Sequence, residues 1–174
     1  MAPVARTRII SHSALFLAIA VLLPVGFHTF GLAGRIFLPM HIPVLLAGFL
    51  AGPWSGLVVG LLAPTLSYLL TGMPPTYAVP LMSMELAIYG FVAGITYNRL
   101  RLNIYIALIL AMLLGRLMFA VGLIGLGLFM ELPYTAAQFI AGGGALWSGL
   151  PGIMIQLVLV PVVVAAVNRG RHSE

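Results

Sequence analysis

Apolar residues fill this chain in long blocks, and the breaks between blocks are short and rich in glycine, proline and arginine. A block of about 20 apolar residues matches one helical crossing of a bilayer. The pattern predicts six such helices, over about 11–29, 36–51, 54–70, 78–97, 102–130 and 145–168. Gly31, Gly34 and Arg35 break the chain after the first block, Gly52-Pro53 after the second, and the stretch from Thr71 through Met73-Pro74-Pro75 to Tyr77 after the third. Pro39 and Pro43 suit an entry loop or a first helical turn, where no intrahelical N–H is needed. Pro64 is expected to interrupt the third block. The first block follows Arg6 and Arg8 as a signal peptide would. It has no clear small-x-small cleavage site, so it reads as a span.

Composition turns this pattern into a fold class. Of the 174 residues, 62% are hydrophobic and 6% charged, against roughly 25% charged in a soluble domain. The expected fold is an all-α integral membrane protein, with residues 1–174 forming a single transmembrane domain. The net charge of +5 is carried by arginines that flank apolar blocks: Arg6, Arg8, Arg99, Arg101, Arg169 and Arg171. That distribution is the positive-inside signature and argues against nucleic acid. Six spans then put both termini and the loops at Gly52-Pro53 and Asn98 to Arg101 in the cytoplasm, with Arg35 outside. The expected location is the plasma membrane of a prokaryotic cell, crossed several times. The outer side collects His28, Arg35, Met40-His41, Tyr77, Glu131 and Gly142-Gly143-Gly144, as recognition loops would.

Candidate chemistry centres on Arg116, which falls deep in the fifth block. A charge there costs roughly 3 kcal/mol or more unless paired or facing a polar cavity. Glu85, inside the fourth block, is a carboxylate within reach, about 10 Å below the outer end of its helix at 1.5 Å per residue. Two readings are open: a ligand site with one anionic and one cationic anchor, or an ion pair that only ties two helices. Tyr89 shares the face of Glu85, as does Met82, with Tyr77 and Pro80 above. His41 has no metal-ligand spacing with His28, so no metal site is expected. The chain has no cysteine. It also lacks a Gly-x-Ser-x-Gly elbow, a metalloprotease motif and a Walker motif, so no enzymatic activity and no cofactor in this chain are expected. Arg35 lies in a Gly-rich loop leading to His41 and is expected to act there as part of a lid. Ala14 and Ala18, four apart in the first block, form a groove where another helix can approach. Gly48/Gly52 and Gly56/Gly60 offer similar grooves.

These features resemble the substrate-binding (S) components of energy-coupling factor (ECF) transporters. The resemblance is carried by Ala14 to Ala18, by the stretch from Leu38-Pro39-Met40-His41-Ile42-Pro43 to Gly52-Pro53, by Gly56, Gly60 and Pro64, and by Leu70 to Pro75. It covers about residues 14–167. It implies a subunit that captures a vitamin or related micronutrient outside the cell. Such a subunit docks on a membrane coupling subunit with two ATPases, which use the ATP, and releases its cargo inside. It also implies that Ala14 and Ala18 face the coupling subunit. Arg35, His41, Tyr77, Glu85, Tyr89, Arg116 and Trp147 occupy suitable places for substrate binding. The alternative is a self-sufficient secondary transporter, which would usually show two similar halves. No clear internal repeat is present.

Overall fold

The computed structural model describes residues 3–29, 38–133, 138 and 149–172. Six helices account for nearly all of them: α1 (Pro3–Thr29), α2 (His41–Ala51), α3 (Pro53–Thr71), α4 (Ala78–Gly94), α5 (Ile104–Gly127) and α6 (Leu150–His172). A π-helical turn, Ile95–Arg99, extends α4. No strand occurs among the described residues. Five of the helices are long and apolar enough to cross a bilayer. The second, α2, has 11 residues and spans about 16 Å, half the hydrocarbon thickness. Its predicted start at residue 36 lies outside the described residues. Leu38 to Met40 form a turn rather than helix, and Pro43 occupies the first turn of α2, where a missing N–H costs nothing.

Two expectations about breaks are corrected. Pro64 does not interrupt the third block: α3 runs unbroken through it. The fifth helix ends at Gly127, not near residue 130. The sharp break at Gly52 is as expected. This one residue closes α2 and opens α3 at φ 103°, a conformation that favours glycine. Its N–H bonds Gly48 O at 3.2 Å, and its carbonyl receives Gly56 N–H at 3.0 Å.

Helix α4 is central, packed against α2, α3 and α5, while α1 covers α2 and α3, and α6 touches α2 and α5. Lipid tails are as apolar as leucine, so close packing must hold these helices together. Glycine makes it close. A Cβ on Gly56 or Gly60 would collide with the backbone of α4 at Gly90 and at Leu86, and one on Gly48 with Gly90 O. The grooves at Gly48, Gly56 and Gly60 are therefore filled from within the chain. Helix α5 repeats the logic, burying Ala107, Ala111, Gly115 and Gly122. It exposes Ile106, Ile109, Leu113, Leu117, Val121 and Ile124, a stripe at helical spacing suited to lipid. The α1 face bearing Ala14 and Ala18 is also exposed, beside Leu15 and Leu22.

One end of the bundle is basic, with Arg99, Arg101 and Arg169 exposed. Polar contacts knit it: Asn98 Nδ2 donates to Gly48 O at 3.0 Å, and Asn168 Nδ2 to Tyr97 Oη at 3.2 Å. Ser13 and Ser55 hydroxyls meet at 2.6 Å. Thr96 Oγ1 donates to Val92 O at 2.6 Å in the turn before the π segment. The opposite end carries the 71–78 connection, where Thr76 Oγ1 donates to Tyr68 Oη at 3.0 Å.

Candidate functional site

Four side chains from three helices meet in the interior: His41 opens α2, Glu85 and Tyr89 lie one turn apart on α4, and Arg116 comes from α5. Arg116 Nη1 is 2.9 Å from Glu85 Oε1. The early end of α5 helps them meet, since Arg116 is then 11 residues, about 16 Å, below that end. Gly115 makes the approach possible. The Tyr89 ring lies where a Cβ at 115 would be, so α5 can press against α4 one residue before the guanidinium. His41 completes the group, its Nε2 3.9 Å from Glu85 Oε1. Its ring stands edge-on to Tyr89 at a centroid distance of 5.1 Å.

The group is deeply enclosed. The side chains of His41 and Glu85 are each 3% exposed, and that of Arg116 18%. Leu81, Phe119 and Leu123 form an apolar layer on the side away from the basic end, with Met82 packed against them. On the other side lies the main core, including Leu45, Phe49, Leu108 and Met112. A low-dielectric surround of this kind strengthens charge interactions and penalises unmet polar groups.

Several polar groups here are unmet. Among the described residues, His41 Nδ1 and Nε2, Glu85 Oε1 and Arg116 Nε have no hydrogen-bond partner. The Glu85–Arg116 approach lies off the hydrogen-bonding direction, so the carboxylate is neutralised but that oxygen is not saturated. Each buried group left this way costs about 1–3 kcal/mol, more when charged. A purely structural ion pair would be expected to satisfy its atoms.

The other sequence candidates are placed as follows. Tyr77 is half-buried at the N-terminal boundary of α4, about 12 Å along the helix from Glu85. Arg35 and Trp147 lie outside the described residues, as does the side chain of His28. Sequence reasoning missed Gln156. It is 1% exposed on α6, and its Nε2 has no partner among the described residues. A lone amide inside the apolar run of α6 was the available signal. Ser83 Oγ is likewise buried without a partner.

The fold is that of an all-α, multi-helix membrane protein whose interior encloses a half-satisfied polar group. The family profile described as "ECF transporter, substrate-specific component" matches residues 9–164. The chain belongs to that family and is a multi-pass plasma-membrane protein, a substrate-specific transport subunit. Comparison with curated proteins and with solved structures returns no significant match.

Proposed function

We propose that the chain is the subunit that binds a vitamin or related micronutrient from outside the cell and delivers it inwards with a coupling subunit and two ATPases. The substrate binds at His41, Glu85, Tyr89 and Arg116. The observation that supports this reading most is the set of unpartnered polar atoms buried in that group, because a closed helix interface would not leave them. The basic end, with Arg99 and Arg101, faces the cytoplasm, and the substrate enters from the opposite end. The exposed small-residue face at Ala14 and Ala18 receives the coupling subunit. The other small-residue grooves are occupied within the chain, which leaves this one for a partner.

The test is purification of the tagged chain from its native membrane. Retention of a coupling subunit and two ATPases, with ATP-dependent uptake by the reconstituted assembly, is expected. Uptake by the purified chain alone, driven by a proton or sodium gradient, would overturn the proposal in favour of a secondary transporter.

A further inference from the structure

We infer that the chemical group this site grips is a carboxylate, held by the unpartnered Nε of Arg116 at the buried start of α2. The inference rests on the reading of the polar group as a ligand site and specifies what occupies it.

The balance of unmet atoms carries the argument. A guanidinium offers two edges for paired hydrogen bonds, one of them formed by Nε and one Nη. Glu85 approaches at Nη1, and Nε is unpartnered. The Tyr89 side chain also hydrogen-bonds this guanidinium, so the donor left for a further acceptor is Nε. His41 adds an N–H donor whichever ring nitrogen carries the proton, since neither is bonded. His41 is also the first residue of α2; its own N–H is taken by Leu38 O at 3.1 Å, and no side chain caps the N–H groups that follow. A helix start carries partial positive charge and favours an anion. Met40 and His41 are 4% and 2% exposed, so solvent does not quench that field. The unmet Nε and the imidazole N–H are donors, which a cation cannot use. A phosphate dianion would set two charges beside Glu85 against a single guanidinium. A single carboxylate adds half that excess of charge, and its two oxygens can accept from Nε and from the imidazole N–H. Glu85 Oε1, still unsaturated, is then free to accept a hydroxyl or amide N–H from the same molecule.

The experiment has two arms. Native mass spectrometry of the purified chain first identifies any retained small molecule. Calorimetry then compares acids with neutral counterparts of the same skeleton: nicotinate with nicotinamide, pantothenate with pantothenol, biotin with biotinamide and lipoate with lipoamide. The expected result is a retained carboxylic acid, or an acid among these probes bound at least about tenfold more tightly than its neutral counterpart. In Arg116→Lys, which keeps the charge but loses the Nε donor, that preference should collapse. A retained compound without a carboxylate, or equal affinity for acid and neutral forms, overturns this inference and leaves the proposed function standing. Absence of any retained molecule together with no binding of any probe counts against the proposed function itself. If Arg116→Lys fails to fold, the comparison on the unaltered chain decides alone.

Discussion

Arg116 and Glu85 are each tolerable only because of the other. Removing one partner of a buried pair leaves an uncompensated charge, at a cost of roughly 3–5 kcal/mol, whereas removing both is milder. Arg116→Gln and Glu85→Gln are therefore expected each to lower the melting temperature in detergent more than the double variant does. Equal losses in all three would mean that the residues do not depend on one another. The pair was legible in the sequence because two charges inside apolar blocks are costly enough to need an explanation. What was not legible is what surrounds it. Tyr89 lies on Gly115 because a glycine precedes the arginine, and no pattern along one strand of sequence reveals which ring fills a missing side chain on another helix. Gln156 was missed for a related reason: an uncharged amide costs less than a charge, so it draws less notice.

At the scale of helices, each of the six long apolar blocks gave a helix, five of them long enough to cross a bilayer, while their ends depended on local chemistry. The start of α2 was drawn too early because apolar residues before His41 continue the block. Leu38 at φ 49° shows the backbone turning there, which hydrophobicity alone does not encode. Pro64 was expected to break α3. Its ring removes one intrahelical bond, and the packing of α3 on α4 and α1 holds the helix through that loss. Glycine grooves could be seen in the sequence but not sorted. Contacts sort them: Gly56 and Gly60 receive α4, and the Ala14/Ala18 face receives nothing within the described residues. Gly56→Leu or Gly90→Leu should therefore sharply reduce the yield of folded monomer, read by size-exclusion profile and thermal unfolding. Folding indistinguishable from the unaltered chain would contradict the close α3–α4 contact. Ala14→Trp or Ala18→Trp should leave binding of the retained molecule unchanged but abolish uptake by the assembled transporter, since an indole would hold the partner helix away. Normal complex formation and uptake in both variants would remove this face as the docking surface.

For the whole molecule, orientation and site location are joined. The chain has no cysteine, so single cysteines can report sidedness directly. Arg101→Cys should react with an impermeant maleimide only from the cytoplasmic face, and Thr76→Cys, exposed at the opposite end, only from outside. The reverse pattern would invert the direction of capture. The central claim is that the interior group binds the transported molecule and does not merely fasten α4 to α5. It is tested most directly by calorimetry on the folded double variant Glu85→Gln with Arg116→Gln, titrated with the compound that native mass spectrometry finds on the unaltered chain. Affinity should fall at least about tenfold, or ~1.4 kcal/mol, because the amides cannot replace the charged edge. Unchanged affinity in a well-folded double variant would mean that these residues only tie helices together and that the molecule binds elsewhere.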